Sequence, residues 1–545
     1  MAYMFPRPLL CVLVTILFVH DLCLVETSTK YAFMKEATKA PKVSFYDYIV
    51  IGGGTAGIPL ATTLSANYSV LLLERGGSPY GNPNITQVMN FGSYFLDTSP
   101  NSPSQRFISE GVINARPRVL GGGTAINAGF YSRGESKFNK EARLMDKRLI
   151  RESYEWAEKV MVSKPEPKKW QSAFRAALVE AGVKPDNGFS YDHIVGTKLA
   201  GSIFDEHGTR HTAADLLQYA NPKGLSVLLH ATVEKILFKT KGKSRPLAYG
   251  VAFKDSFGNK HKAYLKGGKK NEVILSAGAL GSPQLLMLSG IGPKEQLDAH
   301  KIKIVLEQPF VGKDMADNPM NTIFIPSPVA VEPTIVQLVG ITRFGSYIED
   351  AGGNNFIFAD PSAYQGFSPQ MGGFMIEKIS GPLSKGELRI KNLNPADNPS
   401  VTFNYFKEPA DLQKCVKGIR TVLKAIESKA FSNYKYANMT SKDILDLNLR
   451  LPMNLRVHGK TSWSLEQYCK DTVRSMWHYH GGCHIGQVVD PEYKVLGVDA
   501  LRVIDGSTIL NTPGTNPQAS VLMLGRYMGV TILGQWLARE NNKTY

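Results

Sequence analysis

A glycine-rich turn near the N-terminus constrains the fold of this chain more than any other feature. The β-branched and aromatic run Tyr46–Ile51 predicts a buried strand, and the turn Gly52–Gly57, with the sequence GGGTAG, follows it directly. A helix-like stretch (58–65), a second strand-like stretch (69–73) and then Glu74 complete a strand–helix–strand unit. This order predicts a Rossmann-like dinucleotide-binding domain and therefore an α/β fold.

The positions of this unit have distinct physical tasks. Gly52 permits the tight turn, Gly54 lets the backbone approach a pyrophosphate, and Gly57 allows the helix to pack closely on the strand. The helix N-terminus stabilises the phosphate charge. Glu74, 22 residues after Gly52, lies where a carboxylate accepts hydrogen bonds from an adenosine ribose. The unit predicts a bound dinucleotide and leaves both FAD and NAD open.

The composition indicates a large globular protein. At 545 residues the chain is expected to form more than one domain, and its 43% hydrophobic and 20% charged residues exclude a disordered or fibrous chain. The net charge is +16, with basic clusters at residues 239–245 and 266–270. Because both clusters contain glycine and flank strand-like stretches, we interpret them as solvated hairpin loops and expect no nucleic-acid partner.

The first residues predict an export signal. Arg7 is the only charge before the apolar run Leu9–Val19, which is shorter than a membrane span and is followed by polar residues. We therefore interpret residues 1–25 as a signal peptide, with an uncleaved signal anchor as the alternative. The protein is expected in the secretory pathway, outside the cell or in the endoplasmic reticulum, without a transmembrane anchor.

Sequons and cysteines agree with export. Four Asn-X-Ser/Thr sequons predict glycosylation, at Asn67, Asn84, Asn438 and Asn542. Removal of the signal peptide would leave three cysteines, which fit one disulfide and one free thiol: Cys415, Cys469 and Cys483. No CxxC pair occurs, so we expect no metal site.

Five further motifs resemble the glucose–methanol–choline (GMC) oxidoreductases, which are FAD enzymes. In chain order they are LERGG (73–77), RVLGGGTAINAG (118–129), GALGSPQLLMLSGIG (278–292), WHYHGGC (477–483) and LRVIDGS (501–507). The resemblance extends from about Tyr46 to Trp536. Within the family, the NPNIT (82–86) and PGTNPQ (513–518) segments resemble the plant branch of HOTHEAD-like proteins and mandelonitrile lyases.

The resemblance implies a two-domain architecture with FAD as the cofactor. The Rossmann-like FAD-binding domain is expected from residues 44–140, 200–318 and 466–545. Residues 141–199 and 319–465 are expected to form an α+β substrate-binding domain with an antiparallel sheet. The resemblance also implies a Cys415–Cys469 disulfide, with Cys483 free beside the active site.

The resemblance assigns cofactor contacts to many positions besides the turn glycines. Val233 would contact adenine through its backbone, and Asn127 to Phe130 would follow the pyrophosphate and the flavin ring. The full implied set is Gly52, Gly54, Thr55, Ala56, Gly57, Glu74, Arg75, Val119, Gly123, Asn127, Ala128, Gly129, Phe130, Val233, Trp477, Asp505, Gly506, Pro517 and Gln518.

The catalytic pair implied by the resemblance is His478 and Asn516. Alcohol oxidation on a flavin needs a base for the hydroxyl proton, and histidine is suitable because its ordinary pKa lies near neutrality. Asn516 would position the substrate oxygen without competing for its proton. His480 and His484 are interpreted as structural.

Three functional hypotheses follow. The first is oxidation of an alcohol, which the resemblance to the HOTHEAD-like branch makes a long-chain ω-hydroxy fatty acid, a lipid-like substrate. The second is a hydroxynitrile (mandelonitrile) lyase, although Asn516 stands where the lyase pattern has histidine. The third is a secreted flavoprotein without turnover, because the sequence departs from the family at 144–147 and is shortened within 351–375, where substrate access is expected.

Overall fold

The structure, a computed structural model, describes residues 30–353, 371–451, 454–456, 459, 461, 464–514 and 516–541. The predicted signal peptide (1–25) and the sequon at Asn542 lie outside these residues, as does most of the shortened segment 351–375. No described helix is long and apolar enough to cross a membrane.

The strands, in chain order, are β1 Met34–Glu36, β2 Val43–Tyr46, β3 Tyr48–Ile51, β4 Val70–Leu73, β5 Ser104–Ser109, β6 Val112–Pro117, β7 Phe130–Tyr131, β8 Asp186–Phe189, β9 Gly196–Leu199, β10 Gly201–Ser202, β11 Leu225–Leu229, β12 Thr232–Lys239, β13 Leu247–Lys254, β14 Lys260–Leu265, β15 Glu272–Leu275, β16 Ile291–Gly292, β17 Leu306–Glu307, β18 Lys313–Met315, β19 Pro319–Pro326, β20 Leu338–Ile341, β21 Ser346–Gly352, β22 Gly372–Ile379, β23 Gly386–Arg389, β24 Ser400–Val401, β25 Val473–Ser475 and β26 Leu501–Val503.

The α-helices are α1 Gly57–Leu64, α2 Pro83–Thr86, α3 Ser93–Leu96, α4 Ser136–Glu141, α5 Lys147–Met161, α6 Lys169–Glu180, α7 Gly278–Leu288, α8 Lys294–Ala299, α9 Pro409–Ile426, α10 Ser441–Arg450, α11 Leu465–Asp471 and α12 Gln518–Asn541. Short 3₁₀ helices span Ala37–Lys39, Val88–Asn90, Gly122–Ala125, Ala213–Tyr219, Lys429–Tyr434 and Gly506–Thr508.

A six-stranded parallel sheet, in the order β1-β11-β4-β3-β15-β26, forms the centre of the first domain. The central strands β3 and β4 are continuous apolar runs because both of their faces are covered. One face packs on α1, α5 and α12, and the other faces the sheet β12-β13-β14-β2 and α7. The predicted Rossmann-like α/β domain is confirmed.

The predicted strand Tyr46–Ile51 is two strands that belong to different sheets. β2 pairs with β14, whereas β3 pairs with β4 and β15. The break falls at Asp47, whose carboxylate accepts hydrogen bonds from the backbone and hydroxyl of Ser69 at 2.9 and 2.6 Å. The polar anchor therefore ends one strand and fixes the start of the next.

A seven-stranded sheet, in the order β25-β19-β22-β21-β20-β9-β8, forms the centre of the second domain. Every neighbouring pair is antiparallel except β8 and β9, which confirms the predicted α+β domain with an antiparallel sheet. The helices α6, α9 and α11 contribute to the core on one face, and the other face borders the cavity described below.

Three elements pack with a sheet that the predicted domain segments do not assign to them. β1 precedes residue 44 yet joins the parallel sheet, because it pairs with β11 and buries Met34. β25 falls within 466–545 but pairs with β19 at the edge of the antiparallel sheet. α5 falls within 141–199 but packs its apolar face, including Tyr154 and Ala157, into the core of the parallel sheet.

The two basic clusters differ in their structure. Residues 240–246 connect β12 to its antiparallel partner β13, so the first cluster is at a hairpin, as predicted. The second cluster follows β14 and leads to β15, which is in another sheet. The hairpin interpretation is wrong there, because β15 pairs with β3 and β26 and not with β14.

Candidate active site

A cavity of about 260 Å³ lies at the carboxyl ends of β3 and β4, against the N-termini of α1 and α7. This is the edge of a parallel sheet at which dinucleotides bind. Eleven of the predicted cofactor-binding residues line it: Gly52, Gly54, Thr55, Ala56, Glu74, Arg75, Val119, Gly123, Val233, Asp505 and Gly506.

The backbone around this cavity fits a pyrophosphate. A Cβ atom added to Gly57 would lie 2.0 Å from the Gly52 carbonyl oxygen, so this glycine lets α1 pack against the turn and does not line the cavity. A Cβ added to Gly54 would meet only the Gly122 Cα, at 3.8 Å, and would otherwise fill the space of the cavity. Gly57 therefore permits the close packing predicted for it, and the open space at Gly54 fits the predicted approach of a phosphate.

Charged side chains hold the walls of this cavity. The Glu74 carboxylate accepts hydrogen bonds from the Gly53 and Gly76 amides at 2.9 and 2.7 Å, so it anchors the glycine turn as well as lining the site. Burial raises its pKa. Asp505 accepts hydrogen bonds from the Gly278 amide (2.9 Å) and the Ser282 hydroxyl (2.5 Å), which fixes the start of α7.

A second cavity, of about 190 Å³, adjoins the first, and Thr55, Gly123 and Tyr479 line both. Its walls are mainly apolar and include Phe91 and Phe95. The remaining predicted site residues meet here: Asn127, Ala128, Gly129, Phe130, Trp477, His478, Asn516, Pro517 and Gln518. The structure therefore brings together every predicted site residue except Gly57, which supports the site from behind.

His478 is held by two adjacent residues that precede β19. Its backbone N–H donates to Asp317 at 2.8 Å, and its Nδ1 lies 3.2 Å from the Asn318 side-chain oxygen. The Asn318 amide nitrogen donates to the Ile379 carbonyl at 2.6 Å, so its oxygen is the atom that faces the imidazole. Nδ1 must therefore carry the proton, which leaves the lone pair on Nε2.

The surroundings keep His478 neutral. Burial, the Lys378 ammonium and His480 together hold the pKa of His478 well below its usual value of 6.5. Burial also lowers the pKa of His480 to about 3, and raises the pKa of the supporting Asp317 carboxyl to about 7. A neutral imidazole with its lone pair on Nε2 has the form that a general base requires.

Asn516 contacts a lysine that the sequence did not reveal as part of the site. The Lys378 ammonium donates to the Asn516 side-chain oxygen at 2.5 Å and to Glu349 at 2.7 Å. The sequence analysis also missed Asp317 and Asn318. The available signal was a pair of charged residues, Glu377 and Lys378, inside the apolar strand β22: the alternation of a strand places one of them on each face.

The other predicted features lie away from the cavities. The Sγ atoms of Cys415 and Cys469 are 2.05 Å apart, so the disulfide is confirmed, and Cys483 is buried and lines neither cavity. None of residues 144–147 lines either cavity; Asp146 instead caps α5 by accepting from the Leu149 amide. Asn67, Asn84 and Asn438 are exposed.

Comparison with known protein families identifies the family of this chain. Two sequence profiles described as GMC oxidoreductase match residues 46–320 and 382–525. The chain belongs to the GMC oxidoreductase family. It is therefore an FAD-dependent oxidoreductase that acts on CH–OH groups. We call the second, mainly apolar cavity the substrate cavity, for the role proposed for it.

Several relatives of this GMC oxidoreductase align over almost their full length. Protein HOTHEAD of Arabidopsis thaliana is 51% identical, covering 91% of this chain and 89% of that protein. The (R)-mandelonitrile lyase-like protein of the same plant is 45% identical, covering 92% of each. Sinalpyl alcohol oxidase Nec3 of Nesocodon mauritianus is 44% identical, covering 89% and 88%.

A solved structure shows the same fold. Formate oxidase superposes with a TM-score of 0.75 at 19% identity, covering 91% of this chain and 99% of that chain. The GMC fold is therefore common to both proteins.

Proposed function

We propose that this GMC oxidoreductase oxidises an apolar primary alcohol and that His478 is its base. The observation that carries the proposal is the orientation of His478, whose Nδ1 proton is directed to Asn318 so that Nε2 keeps its lone pair at the substrate cavity. A base in this state needs no prior deprotonation, because its low pKa keeps it neutral.

The reaction removes two hydrogens from the alcohol. The O–H bond breaks as His478 Nε2 takes the proton, and the carbinol C–H bond breaks as a carbonyl forms. Bound FAD supplies the acceptor for the hydride. Asn516 contacts the substrate oxygen, and the apolar walls exclude water from the carbinol carbon.

We propose a long-chain ω-hydroxy fatty acid as the substrate. Support comes from the likeness to the HOTHEAD-like branch and from aromatic walls, including Phe91, Phe95 and Trp477, that suit an alkyl body. The relative named sinalpyl alcohol oxidase supports alcohol oxidation, and for this reason an aromatic alcohol is the second substrate class to test.

An anaerobic titration tests the proposal. An ω-hydroxy fatty acid, an unsubstituted fatty acid of equal length and an aromatic alcohol are added to separate samples of the FAD-loaded protein, and flavin absorbance is followed. Bleaching by the hydroxy acid, with none by the unsubstituted acid, is expected. Bleaching by the aromatic alcohol alone would mean that the substrate is an aromatic alcohol and not a hydroxy fatty acid. Absence of bleaching with every alcohol would support the hypothesis of a flavoprotein without turnover.

The residue assignment has its own test. His478→Ala should slow flavin reduction by roughly a hundredfold or more, the usual contribution of a general base. His484→Ala is the matched control, because this buried histidine lines neither cavity. Equal rates in His478→Ala and in the wild type would show that His478 is not the base.

The lyase remains the second candidate because the mandelonitrile lyase-like relative is 45% identical. A lyase releases cyanide from mandelonitrile while the flavin stays oxidised. Cyanide release without bleaching by alcohols would replace the oxidase proposal, and absence of cyanide would remove the lyase.

We further propose that the protein enters the secretory pathway. The disulfide and the exposed sequons at Asn67, Asn84 and Asn438 support this. Sequencing of the mature N-terminus is expected to begin near residue 26, and N-glycosidase treatment is expected to lower the apparent mass. An intact Met1 with no change in mass would contradict it.

A further inference from the structure

Two opposite charges are buried on the face of the antiparallel sheet that borders the substrate cavity. In the register of β21 and β22, Lys378 lies opposite Tyr347, and Glu349 is two residues further along β21, so the two side chains are diagonal neighbours. Their charged atoms are 2.7 Å apart, and neither side chain is more than 2% exposed. Their immediate neighbours on this face include the apolar Ile376 and Met320. Two further buried cations, Lys198 and Arg474, lie on the same face, each two strands away from the pair.

A buried ion pair rarely stabilises a fold more than apolar residues of similar volume would. Its presence here therefore calls for a role besides stability. The ammonium makes one further contact with a residue of the substrate cavity, the 2.5 Å hydrogen bond to the Asn516 side-chain oxygen. Lysine only donates hydrogen bonds, so the atom of Asn516 that faces it must be Oδ1.

We propose that Lys378, held by Glu349, is a positioning residue that turns the Asn516 carbonyl away from the substrate and directs its amide nitrogen toward the substrate oxygen. This inference rests on the proposed alcohol oxidation. With the amide reversed, the substrate hydroxyl would donate to the Asn516 carbonyl in place of His478, and its proton would not reach the base. Lys378 thus decides which of two acceptors the hydroxyl meets.

The charged and titratable groups around the ammonium come from several elements. Glu349 and Tyr347 face it from β21, with the ammonium 5.7 Å from the centre of the Tyr347 ring. Burial and the positive charge of Lys378 lower the pKa of His478, and burial, Lys198 and Lys378 lower that of His193 to about 4. Variants must therefore be compared at a pH where both histidines are neutral.

The first test is a double-mutant cycle with Asn516. Lys378→Met, Asn516→Ala and the combined variant are loaded with FAD, and the limiting rate of flavin reduction by alcohol is measured on the high-pH plateau. Each single change is expected to slow reduction by roughly tenfold, and the combined variant no more than the Asn516→Ala protein, because both act through one amide. Losses that multiply would overturn the proposal.

The second test separates positioning from folding. Lys378→Met leaves Glu349 buried without its partner, so Lys378→Met/Glu349→Gln, which removes both charges, is compared with it. Thermal stability should recover in the double variant while the slow reduction persists. A double variant with the wild-type rate would show that the pair is only structural. Lys198→Met, a buried lysine of β9 that lines neither cavity, controls for loss of a buried ammonium.

A binding measurement reports orientation without turnover. The aldehyde group of the product only accepts hydrogen bonds, so the affinity of the protein for the product should fall by roughly fivefold in Lys378→Met. The perturbation of flavin absorbance on binding measures this affinity. Unchanged affinity would contradict the inference. If His478→Ala retains full activity, the proposed function fails; if His478→Ala is inactive while the Lys378 variants behave as the wild type, only this inference fails.

Discussion

The catalytic role proposed for His478 depends on a few contacts that fix its backbone and its imidazole ring. Trp477 adopts φ +58°, a left-handed conformation that is costly for a bulky residue, and this bend directs the chain from β25 into the cavity. Asp317 fixes the His478 backbone and Asn318 fixes the ring. The strain at Trp477 is offset by these contacts and by stacking on Phe95.

The orientation of His478 can be tested at Asn318. Asn318→Ala removes the acceptor of the Nδ1 proton, so the proton can move to Nε2, and we expect flavin reduction to slow by roughly tenfold to a hundredfold. Asn321→Ala is the control: this buried asparagine, three residues further along in β19, binds the Cys469 carbonyl and Thr472 instead. An equal loss of rate in both variants would indicate a general effect on β19.

The pH dependence of flavin reduction tests the state of His478. The neutral ring is the active form, so the rate falls when pH drops through the pKa of His478. Because that pKa is held below 6.5, the rate should stay constant from pH 8 to pH 6.5 and decline only at lower pH. Stopped-flow measurements check this, and a decline centred above pH 7 would contradict it.

Among the elements, the β3-turn-α1 unit separates folding from cofactor binding. Gly54→Ala should leave the stability of the FAD-free protein near wild type, while FAD affinity falls by roughly tenfold, since the added methyl occupies the cavity. Gly57→Ala should destabilise the FAD-free protein by roughly 2 kcal/mol, because its methyl meets the Gly52 carbonyl. Thermal unfolding and FAD titration distinguish the two.

A glycine in α12 provides the control for this pair. Gly534 is exposed, and a Cβ added there meets no atom within 4 Å. Gly534→Ala should therefore preserve FAD affinity and raise stability by up to about 1 kcal/mol. Equal losses of FAD affinity in Gly54→Ala and Gly57→Ala, with both proteins fully stable, would contradict the division of tasks.

At the scale of the whole molecule, the disulfide joins two helices that contribute to the core on one face of the antiparallel sheet. Cys415 lies in α9 and Cys469 in α11, 54 residues apart along the chain. Cys415→Ala/Cys469→Ala should lower the free energy of unfolding by about 4 kcal/mol, because the unfolded chain loses a constraint. Denaturant unfolding measures this, with Cys483→Ala as a control for loss of a buried thiol. An unchanged midpoint would mean that packing alone holds α9 and α11.

The parts of the fold that are local in the chain could be predicted from the amino-acid sequence. The residue types of the β3-turn-α1-β4 unit follow from phosphate chemistry. The flavin contacts and the pairing of His478 with Asn516 came instead from the resemblance of short motifs to a known family. These segments line the two adjoining cavities because the carboxyl ends of parallel strands meet at one sheet edge. The domain segments were harder to predict from the sequence, because packing partners remote in the chain determine which sheet β1, β25 and α5 join.

Which residues contact His478 and Asn516 became visible in the tertiary fold alone. Asn318 is 160 residues from His478, and Lys378 is 138 residues from Asn516. Nothing in the local sequence links them, because their contacts arise from the register of β19, β21 and β22 within one sheet. Burial in that sheet turns ordinary polar residues into a fixed tautomer and an oriented amide, since a low-dielectric interior makes each hydrogen bond and charge strongly directional.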